Sequence, residues 1–318
     1  MEIYDIAIIG GGGAGLAAAM YAGRLNLKVL VLGHNHGSEL PIGGMITTTN
    51  MVENYPGFKQ ISGVNLAKKI QEHAREYKKV TIKTEKAEEV KKLKTCFKVI
   101  TKKEEYNAKA LIFATGTKWR KLDVPGSGEF ERKGVNYCAL CDAPLYKDKI
   151  VAVVGGSDTA AKDALILAEH AKKVYIIYRK EKIRAEPNNL DKIEKSNKIE
   201  IINNTNVKEV KGEGVVSEVI LDKAYKGSNS LKLDAVFVAI GHIVLSELAK
   251  SIGVKTNEKQ EIIIDHKTCK TNIKGIFAAG DVTDKPFKQL IIGVADGCTA
   301  AYGAYEYITK EHVDTCEI

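Results

Sequence analysis

Two similar stretches, residues 4–33 and 149–185, restrict the possible folds most strongly. Each runs from an apolar strand through a glycine-rich turn into a helix of small residues, and then into a second apolar strand. In the first stretch Gly10, Gly12 and Gly15 have the G-x-G-x-x-G spacing. In this setting the first glycine permits a tight turn, the second lets the backbone approach a pyrophosphate, and the third lets the helix pack on the strand. The stretch therefore predicts a dinucleotide site at a helix N-terminus.

The second stretch carries an imperfect version of the same pattern. Gly155 and Ala160 take the outer positions, and Ser157 replaces the middle glycine. Three cations and no immediate carboxylate follow the second strand, which favours a cofactor with a 2′-phosphate, NADPH rather than NADH. These cations are Arg179, Lys180 and Arg184. They could also be ordinary surface charges, but their position at the strand end, where a 2′-phosphate would lie, favours phosphate binding.

The rest of the chain repeats this plan. Each stretch is followed by a polar meander and an apolar strand, so we infer a duplicated nucleotide-binding domain. The segment 273–308 is too short to fold alone, and we read it as the completion of the first domain. We predict an α/β fold of two doubly wound Rossmann-like domains: residues 1–117 and 246–318 form the first, and 118–245 form the second, inserted domain. Two short crossings between them permit hinge motion.

A Cys-x-x-Cys motif lies in the inserted domain, where Cys138 and Cys141 are followed directly by Asp142. A structural zinc site needs four ligands, and the other cysteines and histidines offer no convincing second pair. A disulfide across so short a loop would add little stability. Redox chemistry fits best, because one thiolate attacks a substrate disulfide and the other resolves the mixed disulfide. Asp142 is a candidate proton shuttle, although it could also cap a helix or a turn.

Charge and compartment exclude other classes of partner. The net charge is +8, but the lysines are spread along the chain, so we expect neither nucleic acid nor membrane as a partner. The chain has no long apolar span and no signal-peptide pattern, which predicts a cytoplasmic protein. In a reducing cytoplasm we expect Cys96, Cys269 and Cys298 to be buried free thiols and Cys316 to be exposed.

The order and spacing of several motifs resemble those of the low-molecular-weight thioredoxin reductases over nearly the whole chain. The motifs include "GGGGAG", "GGMITTTNMVENYPG", "YCALCD", "VVGGSDTA", "YRKEKIRA" and "IFAAGDV". The resemblance implies FAD in the first domain, NADPH in the inserted domain, a homodimer, and thioredoxin or a glutaredoxin-like small dithiol protein as partner. It also implies that Cys141 is the sulfur nearest the flavin, that Cys138 attacks the partner, and that Asp142 is the acid–base residue.

The resemblance extends to individual cofactor residues. Those expected at FAD are Gly10, Gly12, Gly13, Ala14, Gly15, Gly44, Asn54, Thr115, Gly280, Asp281, Lys288 and Gln289. Those expected at NADPH are Gly155, Gly156, Ser157, Asp158, Thr159, Arg179, Lys180, Arg184 and Gly241.

Departures from the family pattern concentrate in the NADPH domain. Ser157 replaces a glycine, Lys162 stands where an acidic residue is common, and Tyr178 replaces a common histidine. Met45 and Lys288 replace a usual glutamine and arginine near the flavin. The departures leave open the same fold with ferredoxin or a deazaflavin as donor. The sequence also leaves open an oxygen-using dithiol oxidase, whereas intact Cys138, Cys141 and Asp142 argue against a flavin-containing sensor without turnover.

Overall fold

The chain divides into two compact units. The computed structural model describes residues 3–34, 41–49, 52, 54–311 and 316, with Leu140 and Cys141 described in their backbone only. One unit consists of Met1–Lys118 with Ile243–Ile318, and the other is Trp119–His242. Each has a largely parallel sheet with helices, and the second unit interrupts the first in sequence. The predicted fold class is therefore confirmed.

In the described residues, the first unit has strands and helices on both sides of the insertion, and β7 and β16 lie at the two chain crossings. The strands are β1 (Ile3–Ile9), β2 (Val29–Gly33), β3 (Val80–Thr84), β4 (Ala87–Lys92), β5 (Phe97–Thr101), β6 (Glu105–Phe113), β7 (Thr117–Trp119), β16 (His242–Val244) and β17 (Ile276–Ala278). The helices are α1 (Gly13–Arg24), α2 (Gly63–Arg75), α6 (Glu247–Ser251) and α7 (Leu290–Lys310), and Met45–Thr48 and Gly280–Val282 form 3-10 turns.

The strand order of the first sheet explains how the C-terminal segment completes this unit. The order is β3-β2-β1-β6-β5-β4, and β17 also pairs with β6. On the side away from β1, strand β6 has two neighbours: its first half pairs antiparallel with β5, and Leu111–Phe113 pair parallel with β17. β1 and β2 are apolar and buried, as expected for central strands covered on both faces.

Small residues let two helices of the first unit approach each other closely. Helix α1 is mostly glycine and alanine, and α7 carries glycines or alanines along its buried face. A Cβ on Gly297 of α7 would lie 2.1 Å from the carbonyl oxygen of Ala14 in α1, so any larger residue there would force the helices apart. This packing places the start of α7 beside the start of α1.

The inserted unit has a five-stranded parallel sheet and a three-stranded antiparallel one. Its strands are β8 (Val135–Asn136), β9 (Ile150–Val154), β10 (Lys173–Ile177), β11 (Ile199–Ile202), β12 (Val207–Glu213), β13 (Val215–Tyr225), β14 (Ser228–Lys232) and β15 (Ala235–Val238). Its helices are α3 (Ala139–Asp142), α4 (Asp158–His170) and α5 (Pro187–Glu194), and Ala143–Tyr146 form a 3-10 turn. The sheet orders are β11-β10-β9-β15-β8 and β12-β13-β14.

The cysteines correct one prediction. Cys96 and Cys316 form a disulfide, with their Cα atoms 5.2 Å apart, so the expectation that Cys96 is a free thiol was wrong. The bond ties the end of the chain to the start of β5. Cys269 is a buried free thiol as expected, and burial and nearby Asp296 raise its pKa to about 12. Cys298 is free but only partly buried.

We expect the Cys96–Cys316 bond to stabilise the protein, because it closes a loop of 220 residues. C316S should lower the free energy of unfolding by about 2–4 kcal/mol without reductant. Denaturant unfolding of wild type and C316S, each with and without a thiol reductant, measures this. The control C298S should behave like the wild type. Equal stability of wild type and C316S without reductant would contradict the role of the bond.

Candidate active site

The first glycine turn is built so that only glycine fits at its two ends. Gly10 follows β1 with a φ of +123°, and a Cβ there would lie 2.1 Å from the carbonyl oxygen of Ala114. A Cβ on Gly15 would lie 1.9 Å from the carbonyl oxygen of Gly10. The first turn of α1 is thus pressed against the end of β1, and the N–H groups of that turn, which have no partner within the helix, are offered to a ligand.

A second glycine pair lines the other side of this turn. The N–H of Gly43 donates to the carbonyl of Gly11 at 2.8 Å. Gly44 has a φ of +74°, and a Cβ on it would lie 2.8 Å from the Cα of Gly12. Gly44, which the sequence predicts at FAD, is therefore in contact with Gly12 of the G-x-G-x-x-G turn.

Polar residues from distant parts of the sequence meet in the same unit. The Asn54 amide Nδ2 donates to Oε1 of Gln289 at 3.0 Å, although the two lie 235 positions apart. Thr115 Oγ1 donates to the carbonyl of Leu245 at 2.6 Å. Gly280 lies against Ala14, since a Cβ on it would be 3.0 Å from the Ala14 methyl, so the turn with Asp281 adjoins the start of α1.

Lys288 braces that turn. Its ammonium donates to the carbonyls of Asp281 at 3.0 Å and Thr283 at 2.6 Å, and forms an ion pair with Glu261 at 2.9 Å. The lysine that replaces the usual arginine is thus fully engaged with the protein, and it fixes the backbone of Asp281. The glycine turn at the start of α1, which we call the glycine cradle, fits FAD because the helix N-terminus suits its phosphates. The Asn54–Gln289 pair and the turn with Asp281 also fit FAD, since the amides suit its polar edges.

The second glycine turn has nearly the same backbone as the first. Gly155 has a φ of +153°, and a Cβ on it would lie 2.3 Å from the carbonyl oxygen of Ala239. Ser157, which replaces the middle glycine, has φ −88° and ψ 173°, and Gly12 has φ −80° and ψ −177°. This conformation is open to any residue, so serine causes no backbone strain. Ala160 is fully buried where the first turn needs Gly15, so α4 leaves room for one methyl group.

The remaining NADPH residues surround this turn. Asp158 and Thr159 form the first turn of α4. Arg179, Lys180 and Arg184 are exposed, and among the described residues none of the three forms an ion pair. The Tyr178 ring covers Gly156, where a Cβ would lie 2.2 Å from it. The carbonyl of Gly241 (φ +99°) accepts a hydrogen bond from the Arg120 N–H at 3.0 Å. These cations and the glycine turn fit a phosphorylated dinucleotide.

The Cys-x-x-Cys motif lies between β8 and a 3-10 turn, with Cys138 directly before the short helix α3 and Cys141 within it. Cys138 is disulfide-bonded, and its carbonyl accepts a hydrogen bond from the Asp142 N–H at 3.2 Å. Tyr146 anchors the following turn, since its hydroxyl accepts from Asn136 Nδ2 at 2.9 Å. The side chain of Cys141 lies outside the described part of the structure.

The carboxyl group beside this motif is shifted towards proton donation. Burial raises the pKa of Asp142, and nearby Arg132 lowers it only in part. An acid whose pKa moves towards neutrality is suited to give and take protons during thiol exchange.

Sequence reasoning missed a second carboxyl in this region. Burial raises the pKa of Asp163 to about 7. Asp163 lies on α4, which packs against α3 and the following 3-10 turn, the elements that carry the motif. The only sequence signal for Asp163 was its position directly before Ala164, which is buried. The same pattern fits an ordinary half-exposed helix position, so it did not single out this residue.

Comparison with known proteins identifies the family. The family model described as pyridine nucleotide-disulphide oxidoreductase matches residues 4–301. The chain belongs to this family. It is an FAD-dependent oxidoreductase, and FAD and NADPH are the cofactors of the family's thioredoxin reductases, which confirms the predicted cofactors.

Individual relatives align over almost their whole length. A thioredoxin reductase of Bacillus subtilis is 38% identical over 97% of this chain and 96% of the relative. The crystal structure of Lactococcus lactis thioredoxin reductase has a TM-score of 0.77 at 34% identity and covers 96% of this chain and 99% of its own. A ferredoxin-flavin thioredoxin reductase of Clostridium acetobutylicum has a TM-score of 0.54 at 33% identity, covering 99% and 100%.

Across the described ranges, no group of three or more His, Cys, Asp or Glu side chains could hold a metal ion. Within the same ranges, no helix has both the length and the apolar character that crossing a membrane requires.

The two glycine turns give a matched pair of substitutions. G15A of this family member should lower the free energy of unfolding by at least about 2 kcal/mol and reduce flavin content, because the new Cβ would strike the Gly10 carbonyl. A160G at the equivalent position should cost about 1 kcal/mol and leave flavin content unchanged. Thermal unfolding and the flavin-to-protein absorbance ratio measure both. Normal flavin content in G15A would contradict the assigned cradle.

Proposed function

We propose that this protein is a thioredoxin-disulfide reductase that uses NADPH as donor, FAD as relay and the Cys138/Cys141 pair as the dithiol. FAD, when bound, supplies the two-electron transfer from the nicotinamide to the protein disulfide. The proposal rests on the disulfide-bonded Cys138 directly before the short helix α3 and on the half-buried acid Asp142 at the end of that helix.

The residues of the motif divide the exchange between them. The Cys138 thiolate attacks one sulfur of the partner disulfide, which forms a mixed disulfide and releases a partner thiolate. Cys141 then attacks the Cys138 sulfur, which restores the Cys138–Cys141 disulfide and releases the second partner thiol. Asp142 takes the proton of Cys138 and gives it to the first departing thiolate, and then takes the proton of Cys141 and gives it to the second. The raised pKa of Asp142 supports this assignment.

The partner follows from the relatives. The Bacillus subtilis and Lactococcus lactis proteins are named thioredoxin reductases, and both match this chain almost end to end. Thioredoxin is therefore the proposed substrate, and a glutaredoxin-like dithiol protein is the nearest variant. Assembly as a homodimer and a cytoplasmic location are part of the same proposal.

The geometry of the second unit supports NADPH as donor. Three exposed cations follow β10, and Ser157 keeps the backbone conformation of Gly12. The departures from the fingerprint thus preserve the turn that a dinucleotide needs. The similarity to a ferredoxin-flavin enzyme keeps that donor as the competing candidate.

Replacing the attacking sulfur tests the function. We expect C138S to reduce NADPH-dependent turnover of thioredoxin by at least about a thousandfold, because no mixed disulfide can form. The flavin of C138S should still be reduced by NADPH. C298S removes a thiol that is partly buried elsewhere and should retain activity within about twofold. Substantial thioredoxin reduction by C138S would refute the proposed exchange.

A further inference from the structure

The basic segment after β10, residues 178–187, is fastened to its surroundings by main-chain bonds on two sides. On the glycine-turn side, the Arg184 N–H donates to the Gly156 carbonyl at 2.7 Å, and Ser157 pairs with Arg184 in a parallel bridge. On the other side, the N–H groups of Asn204 and Thr205 donate to the carbonyls of Lys180 and Tyr178, each at 3.0 Å. The segment is thus a strap between two loops and not a loose surface loop.

One side chain completes the fastening. Oδ1 of Asp158, at the start of α4, accepts hydrogen bonds from the Glu186 N–H and from Asn189 Nδ2, both at 2.8 Å. Its other oxygen, Oδ2, lies 2.7 Å from Nζ of Lys162. Asn189 is buried at the start of α5, so Asp158 links the glycine turn to the far end of the basic segment. We call this set of contacts the Asp158 clasp.

The carboxylate of Asp158 stays ionised near neutral pH. Partial burial raises its pKa, but the bonds from Lys162, the Glu186 N–H and Asn189 together lower it to about 2. A permanent negative charge beside a helix N-terminus that is to receive phosphates would repel them. Its oxygens are instead satisfied by three donors of the protein, so Asp158 is badly placed as a phosphate ligand and well placed as a brace.

We propose that Asp158 is a positioning residue that sets the preference for the 2′-phosphate by fixing the segment that carries Arg179, Lys180 and Arg184. The inference rests on the proposed use of NADPH by the second unit. Arginine and lysine side chains lose rotamer freedom when they bind a phosphate. A segment that is already ordered loses less freedom on binding, so the same contacts give a higher affinity. The clasp orders the segment for the 2′-phosphate, whereas the glycine turn serves the pyrophosphate that NADH also has.

The test measures binding of two fragments to the FAD-loaded enzyme by calorimetry. The fragments are 2′,5′-ADP, which carries the 2′-phosphate, and 5′-AMP, which does not. We expect the wild type to bind 2′,5′-ADP much more tightly. D158A and N189A should each lower the affinity for 2′,5′-ADP by about tenfold and change the affinity for 5′-AMP by less than about twofold. In turnover, both variants should raise the KM for NADPH and leave kcat nearly unchanged.

A double-mutant cycle separates the clasp from a general loss of structure. If the two residues act through one contact, the double variant D158A/N189A should bind 2′,5′-ADP with nearly the same affinity as either single variant. The matched control is D191A, which removes an exposed (i, i+4) ion pair of the same 2.7 Å length on α5 and should leave the fragment preference intact. Flavin content and thermal unfolding confirm that each variant is folded.

The outcomes distinguish the two proposals. A wild type that binds both fragments equally overturns the use of NADPH and the clasp with it. A wild type with a strong preference for 2′,5′-ADP that D158A and N189A retain overturns the clasp alone. If D191A also lost the preference for 2′,5′-ADP, the clasp would be overturned as well. Any disturbance of α5 would then be enough to abolish the preference.

Discussion

The close approach of Gly15 to the carbonyl of Gly10 is the contact on which the first unit depends. A single methyl group at Gly15 would lie 1.9 Å from that oxygen. Because α1 is held at this distance, its first turn lies beside Gly44, and α7 can press Gly297 against Ala14. Gln289 and Asp281, which come from the far end of the chain, are thereby brought to the glycine turn. The cofactor cradle is a consequence of helix and strand packing without bulky side chains.

In the inserted unit, the position that corresponds to Gly15 has room for one methyl group. Ala160 replaces the third glycine and Ser157 the second, yet the turn retains its extended middle residue. Its distinctive feature is a network of hydrogen bonds and not a set of glycines. The strap at residues 178–187 is held to the turn by Arg184 and to α4 and α5 by Asp158. The departures Ser157 and Ala160 therefore leave the backbone shape of the turn intact.

The sequence predicted best those features that arise from local spacing. The glycine turns, the alternation of strands and helices, and the insertion follow from short-range patterns with a known packing reason. The meeting of Asn54 and Gln289 came from a family resemblance, since nothing local links residues 235 positions apart. The Cys96–Cys316 disulfide was missed because spacing does not determine disulfide partners. The raised pKa of Asp163 depends on burial, and the proposed role of Asp158 depends on loop geometry. Neither leaves a periodic signal in the sequence.

The central claim is that NADPH delivers electrons to a flavin in this protein, and the most direct measurement follows the visible flavin band without oxygen. NADPH and NADH are added separately to the purified protein, and bleaching is recorded in time. We predict rapid bleaching by NADPH and slow bleaching by NADH, because only NADPH carries the 2′-phosphate that Arg179, Lys180 and Arg184 are proposed to bind. A flavin that neither nucleotide bleaches, but that a chemical reductant reduces normally, would contradict the account and favour ferredoxin or another donor.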